Sequence, residues 1–308
     1  MLIIVMLLAV ATMGGFLALS AARRWPGVDP TRVVSAAAHE GAARDVPPSF
    51  LRARLDPGTA TGLGLTLALV GVVVGGLVLG ALAILVRGSD PSVVSLDSSA
   101  AQWGADNATA LSTLVLEMVT QLGSTVAIVV LSIAVAVIEY RRAPSRSVPG
   151  YLALVVIGQL VIVNVIKLVI ARARPGHPLA GFSGASFPSG HTTAAASFYA
   201  AAALMLGRGR PLGNRSILAG VAVAVAVAVA ASRVLLGVHW LTDVIAGLAL
   251  GWSWFAVCAV AFGGRLMRFA APVEAAQVAA ETGSAPSGVE AAVSEPGSPG
   301  YRPSDEAH

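Results

Sequence analysis

Seven runs of mostly apolar residues, at approximately 2–20, 62–86, 122–139, 150–170, 191–207, 216–232 and 242–262, govern what this chain can fold into. A helix needs about 20 such residues to cross the hydrocarbon core of a bilayer. Inside lipid, every backbone N–H and C=O must find its partner within the protein. Composition agrees: 56% of the residues are hydrophobic and only 12% are charged, against about 25% charged in a soluble domain. The expected fold is all-α, a polytopic transmembrane helix bundle. The sixth run contains a Val-Ala alternation over 221–230. Period two suggests a strand, but an open strand in lipid would leave its backbone unpaired, so a helix is expected. In the second run, Gly71, Gly75, Gly76 and Gly80 stand at small-xxx-small spacing, which lets helices approach closely.

Charge orients the bundle. Arginines fall in 21–61 (Arg23, Arg24, Arg32, Arg44, Arg52, Arg54), in 140–149 (Arg141, Arg142, Arg146), in 208–215 (Arg208, Arg210, Arg215) and just after the last run (Arg265, Arg268). Basic residues in short loops stay on the cytoplasmic side, so the alternate segments are expected to face outward. The outward 87–121 loop carries Arg87 against Asp90, Asp97, Asp106 and Glu117. Two readings of the first run compete: Ala18-Leu-Ser-Ala-Ala22 resembles a cleavage site, but cleavage would put the arginine-rich segment outside. An uncleaved span with an outward N-terminus is expected. Residues 269–308, rich in Ala, Gly, Ser, Pro and Glu, are expected to form a disordered cytoplasmic tail.

The net charge of +4 comes from scattered arginines, which argues against a nucleic-acid partner. The single cysteine, Cys258, excludes an intrachain disulfide. No cysteine–histidine spacing suggests a metal site, and no cofactor is expected.

Three clusters in outward segments carry the chemistry. Lys167, the only lysine, ends an apolar run, where a charge costs about 2.5–3.5 kcal/mol at the bilayer centre and less toward the interface. If the helix continues to Pro175, Lys167 and Arg174 lie two turns apart on one face, a pair suited to phosphate oxygens. The alternative is that these bases, Arg172 above all, reach for lipid headgroups. Asn164, one turn earlier, either orients the ammonium or packs as an ordinary polar residue. Phe187-Pro-Ser-Gly-His191 opens the fifth span. Backbone amides at a helix start bind anions; Ser189 adds a hydroxyl, Gly190 allows close approach and His191 points toward the occupant. An ordinary helix cap explains the same residues. His177, in the preceding loop, is expected to be exposed. In the third cluster His239 and Asp243, at i and i+4, share a face beside Arg233. The carboxylate can hold the Nδ1 proton and leave Nε2 to attack; an N-capping aspartate next to an interfacial histidine is the plainer reading.

Read together, the blocks are Lys-x6-Arg-Pro, Pro-Ser-Gly-His and Ser-Arg-x5-His-x3-Asp. This pattern resembles the tripartite signature of the type 2 phosphatidic acid phosphatase superfamily, over roughly residues 62–263. Thr120-Gln-Leu-Gly123 is similar to a further recurrent feature of its membrane branch. The resemblance implies a six-span phosphatase domain (62–263); outside it, the expected organisation is an N-terminal span with a cytoplasmic loop (1–61) and the disordered cytoplasmic tail (264–308). It implies hydrolysis of a lipid phosphate or polyprenyl (pyro)phosphate at the outer membrane face, with His239 as nucleophile, Asp243 orienting it and His191 as general acid. Lys167, Arg174, Ser189, Gly190 and Arg233 would bind phosphate, and no metal would be needed. The partners implied are a lipid phosphate and the bilayer. A lipid phosphotransferase, a vanadate-dependent haloperoxidase and a non-catalytic transporter or scaffold are the rival readings.

Overall fold

The computed structural model describes residues 1–24, 60–142, 147–176, 178–179 and 184–282. Among them run nine helices: α1 (Leu2–Arg24), α2 (Ala60–Arg87), α3 (Pro91–Asp106), α4 (Ala110–Gln121), α5 (Thr125–Arg142), α6 (Ser147–Ile170), α7 (Gly190–Gly207), α8 (Leu212–Leu235) and α9 (Leu241–Thr282). The fold is the all-helical membrane bundle expected, and the Val-Ala tract lies inside α8 as helix. His177 and residues 283–308 lie outside the described residues.

The count of spans changes. Among the described residues, α1, α2, α6, α8 and the first part of α9 are long and apolar enough to cross a membrane. A sixth is reached if α4 and α5, bent by 48° at the break between them, form one span. The expected fifth span, α7, does not meet that test. It has 18 residues, about 27 Å at 1.5 Å per residue, and it spends several positions on Thr192, Thr193 and Ser197. The physical reason is its surroundings: α5, α6, α8 and α9 all pack against it, so protein rather than lipid covers most of its surface. Its hydroxyls bond to its own backbone, Thr193 Oγ1 to Ser189 O at 2.9 Å and Ser197 Oγ to Thr193 O at 2.9 Å.

Small residues set the spacing around this central helix. A Cβ built on Gly251 would lie 2.6 Å from both Ala196 Cβ and Thr193 O, and one on Gly247 would lie 2.9 Å from Ser189 O. Neither position can carry a side chain without moving α7 off α9. Of the four glycines singled out in the second run, only Gly75 has such a role, against Ala249 O and Ser253 of α9. Gly71, Gly76 and Gly80 meet nothing within 4 Å, so the expected packing motif reduces to one residue.

Two further expectations are corrected. The 87–121 segment is not a loop but the helices α3 and α4. Asp90 caps α3, accepting from Ser92 N at 3.0 Å and Val93 N at 3.2 Å, with Pro91 in its first turn; Thr109 and Ser112 form a capping box for α4. The last helix runs on to Thr282, where a disordered tail was expected from 269. Its Ala-, Glu- and Gln-rich sequence consists largely of good helix formers.

The first helix packs closely against α8. Built Cβ atoms on Gly15 and Gly220 would each lie 2.9 Å from the other's carbonyl oxygen, so the two backbones touch. Ile3 and Leu7 of α1 join Leu116, Leu235, Leu236 and Val238 in one buried cluster, directly beneath the segment leading to His239. At the opposite end, buried Glu139 accepts from Arg142 Nη1 at 2.6 Å and from Arg208 Nη2, tying α5 to the α7–α8 connection.

Candidate active site

The ends of four helices meet above that cluster: the C-termini of α6 and α8 and the N-termini of α7 and α9. Helix α6 stops at Ile170, because Ala171 takes a left-handed φ of +49°. This corrects the expectation that one helix carries Lys167 and Arg174 to Pro175. Residues 171–175 form a non-helical strap instead. The strap is held by Ser186, whose N donates to Arg172 O at 2.9 Å and whose hydroxyl donates to Ala173 O at 3.0 Å. On its other side, Trp240 Nε1 donates to Ala173 O at 2.8 Å.

The strap aims two arginines at the same pair. Arg174 Nη1 lies 3.3 Å from His239 Nε2 and donates to Val238 O at 2.6 Å, while its Nε donates to Gly184 O at 3.0 Å. Arg172 forks between two carboxylates, Nη1 to Asp243 Oδ1 and Nη2 to Asp97 Oδ2, both at 2.6 Å. Arg172 was expected to face lipid headgroups. It is instead an interior ion-pair residue, with its guanidinium 5.3 Å from the Trp240 ring centroid.

His239 stands between α8 and α9. Gly237, at φ +65°, ends α8, and Arg233 O accepts from both Val238 N and His239 N at 3.2 Å, which turns the chain back over the helix end. The ring is buried, with Nδ1 3.3 Å from Asp243 Oδ2. The same carboxylate oxygen accepts from Trp240 N at 3.0 Å. Since Arg174 presents an N–H to Nε2, the Nδ1–H tautomer satisfies both sides of the ring. Burial pulls the imidazole below the usual histidine range to about 4; the hydrogen bond and charge of Asp243 work upward against it, and Arg233 and Arg174 work downward.

The remaining expected residues surround this pair. Arg233 is buried, and its Nη1 donates to Thr120 Oγ1 at 2.9 Å, which gives the Thr120 block a role. Gly123 of that block lets the α4–α5 break approach α7, since its built Cβ would lie 2.7 Å from His191 O. Ser189 N donates to Asp243 O at 3.0 Å and its hydroxyl accepts from Thr192 at 2.9 Å, coupling the second cluster to the third. A built Cβ on Gly190 would lie 4.0 Å from Lys167 Nζ, so the ammonium reaches the start of α7. His191 follows in the first turn of α7. Asn164 does not orient Lys167: its Nδ2 donates to Leu160 O at 2.8 Å on an exposed face. Among the described residues no group of three or more histidine, cysteine or acidic side chains is placed to hold a metal ion.

The residues missed from sequence are Asp97, Arg172 and Thr242. A weak signal existed for the first. Val93, Asp97, Ala100, Ala101 and Gly104 form the inward stripe of α3 at helical spacing, with one carboxylate among small and apolar residues.

The fold and site define a polytopic helical membrane protein with a buried histidine–aspartate pair beside a group of cations at one end of the bundle. Residues 149–266 match the PAP2 superfamily. The chain is similar to the lipid A 1-phosphatase of Rhizobium johnstonii, at 36% identity over 119 residues, or 35% of this chain and 45% of that one. Similarity extends to the phosphatidylglycerophosphatase B of Bacillus subtilis, at 40% over 109 residues (33% and 52% of the two chains). It also extends to the decaprenylphosphoryl-5-phosphoribose phosphatase of Mycobacterium tuberculosis, at 39% over 107 residues (32% and 53%). The chain thus spans about half the length of the curated relatives it matches. Among solved structures, it resembles a transmembrane PAP2 type phosphatidylglycerolphosphate phosphatase from Bacillus subtilis, with TM-score 0.60 and 28% identity, covering 64% of this chain and 98% of that one.

Proposed function

We propose that this chain is an integral membrane phosphatase that hydrolyses a lipid phosphate or polyprenyl (pyro)phosphate through a phosphohistidine on His239. The observation that carries the reading is the ring's setting: Nδ1 on Asp243 and Nε2 facing Arg174, each at 3.3 Å. An entering phosphate draws the Arg174 guanidinium onto its own oxygens, which exposes the Nε2 lone pair to phosphorus. The P–N bond forms as the bond to the leaving oxygen breaks, and His191 gives that oxygen its proton. Lys167, Arg174, Arg233, the Ser189 hydroxyl and the Gly190 amide hold the phosphoryl oxygens while charge redistributes. Water, deprotonated by His191, then attacks phosphorus; the P–N bond breaks, its electron pair returns to Nε2 and inorganic phosphate leaves, while Asp243 keeps the Nδ1 proton throughout. The cations supply the charge that Mg²⁺ supplies in many phosphotransfer enzymes.

Residues 62–263 form the catalytic domain in this reading, flanked by the N-terminal span with its loop and by the tail. The protein resides in the cell membrane with its site on the extracytoplasmic face, because Arg142 and Arg208 lie at the other end, around Glu139, and basic residues favour the cytoplasmic side. A site at a bundle end suits a phosphate held at headgroup depth. The relatives are named for lipid A, phosphatidylglycerophosphate and decaprenylphosphoryl phosphoribose, so a substrate class carries over rather than one lipid. The test is phosphate release by the purified protein in detergent from a panel of lipid phosphates, with and without EDTA. Wild type should be active and EDTA-insensitive, and His239→Ala should be inactive yet folded. Phosphate appearing on an acceptor lipid rather than free would make the chain a phosphotransferase. Turnover by His239→Ala within about tenfold of wild type would remove the nucleophile.

A further inference from the structure

Asp97 lies outside every block of the sequence signature and outside the matched residues 149–266, yet it is one of the most buried carboxylates among the described residues. It is 1% exposed on the inner stripe of α3. Three donors converge on it: Thr242 N at 2.9 Å, Thr242 Oγ1 at 2.7 Å and Arg172 Nη2 at 2.6 Å. The other arm of Arg172 donates to Asp243 Oδ1 at 2.6 Å and to Thr242 Oγ1 at 2.8 Å. One planar guanidinium therefore bridges two carboxylates from different helices. With Oδ1 taken by Arg172, the second oxygen of Asp243 is left to the His239 Nδ1–H and the Trp240 amide.

We propose that Asp97 and Arg172 are positioning residues, which fix the plane of the Asp243 carboxylate and through it the tautomer and aim of His239; this rests on the functional reading above. The geometry favours positioning over plain stability in two ways. Asp97 and Arg172 converge on the residue that touches the nucleophile, not on a remote seam. Arginine is also the residue the arrangement needs, since its fork reaches two carboxylates at fixed angles, whereas an ammonium is a point charge on a flexible stem. Trp240 adds a wall, with its ring beneath the guanidinium and its indole N–H on the strap. Asp97 and Thr242 together thus anchor the start of α9, which carries Asp243, to α3.

The test uses the purified full chain in detergent with dioleoyl phosphatidic acid as probe, and the isosteric Asp97→Asn. Partners one step behind a reacting group typically cost 10–100-fold when changed. Asp97→Asn should lower kcat by about that factor with KM within about threefold, since the phosphate-binding groups are untouched. Combining it with Arg172→Lys should add little, because both break one relay. Wild-type kcat, a change confined to KM, or full additivity would overturn the proposal. Should Asp97→Asn fail to fold, Arg172→Lys alone carries the same expectation and the same refutation. A second readout is independent of turnover: ¹⁵N-histidine spectra, with His239 assigned by a His239→Asn variant, report the ring tautomer. Wild type should hold the proton on Nδ1, and Asp97→Asn should mix the tautomers. A tautomer shift in a protein whose wild type is inactive would sink the phosphatase reading and leave the positioning role standing. An unshifted tautomer would sink the positioning role whatever the activity.

Discussion

Replacing Asp243 by asparagine tests the centre of the site with almost no change of shape. The carboxylate receives donors from three sides: Arg172 Nη1 at 2.6 Å, Trp240 N at 3.0 Å and His239 Nδ1 at 3.3 Å. Asparagine offers one acceptor oxygen and one NH₂ group, so one side must meet donor against donor. Turning the oxygen to Arg172 keeps the charge-assisted bond but sets NH₂ against the Trp240 amide and the ring. The ring can then accept only by moving its proton to Nε2, where it opposes Arg174 and removes the attacking lone pair. Turning the oxygen to the ring sets NH₂ against the guanidinium, losing a bond to a charged group worth about 1.5–3 kcal/mol. The charge-assisted bond is the stronger, so the wrong tautomer prevails. Stability should fall by about 1–3 kcal/mol, the cost of leaving the buried Trp240 amide without its acceptor, measured by thermal unfolding in detergent. The rate should fall further, by about 10⁴-fold, as happens when an Asp→Asn change gives a catalytic histidine the wrong tautomer. That factor corresponds to about 5.4 kcal/mol of barrier. KM should hardly move. Turnover within tenfold of wild type, or a loss accounted for by the unfolded fraction alone, would refute the tautomer argument.

Three further outcomes are expected. His191→Ala should cost far more on an alkyl phosphate than on an aryl phosphate, because an acid matters most for a poor leaving group; equal losses would count against it as the acid. In the proposed mechanism protonation of Nε2 removes the nucleophile, so kcat/KM, corrected for substrate ionisation, should fall on the acid side only as pH drops through about 4, where burial has placed the His239 imidazole. Because that value lies below the roughly 6.5 of an unfolded histidine, the stability gained from the neutral ring is full above about 6.5 and is lost progressively as pH falls from there through about 4. A limb near 6.5 would contradict a buried, neutral ring. With the buried Cys258 changed to alanine, a cysteine placed at exposed Ala105 in α3 should react with an impermeant thiol reagent in intact cells or spheroplasts, and one at exposed Asn214 should be spared. Reversed labelling would move the chemistry to the cytoplasmic face.

The parts of the fold that face lipid were legible, because lipid admits few solutions: long apolar runs became helices, and even a period-two tract became helix. Where protein replaced lipid as the surroundings, hydropathy said less. Helix α7 is central and small-residue-rich, so it carries too little apolar character to read as a span. Helices α3 and α4 are short and carry charge, and their only clear marks are the caps Asp90-Pro91 and Thr109-x-x-Ser112, which hydropathy does not weigh. In the site, the pairing of His239 with Asp243 was readable from i, i+4 spacing, because the chain is nearly helical there. Arg172 was not, since its carboxylate partners are 71 and 75 residues away in sequence.

The break after Ile170 explains why two arginines two residues apart can serve one pair. On a continuing helix, Arg172 and Arg174 would point about 200° apart, one inward and one to lipid. In an extended segment, residues i and i+2 lie on the same side. The left-handed turn at Ala171 therefore converts a helical sequence, in which one arginine would be spent on headgroups, into a strap that directs both inward. Arg174 goes to His239 and Arg172 to the Asp243 carboxylate behind it. Lys167, still on α6 one turn before the break, stays at the rim by Gly190. A charge cannot be held cheaply at the middle of a bilayer, and buried cations need partners. Ending the helix early meets both conditions. The arginines leave the apolar depth before they turn inward, and each is matched there, Arg172 by Asp97 and Asp243, Arg174 by the carbonyls of Gly184 and Val238. In the proposed reaction, a phosphate would displace only the second of these arrangements, leaving the first to hold Asp243 still.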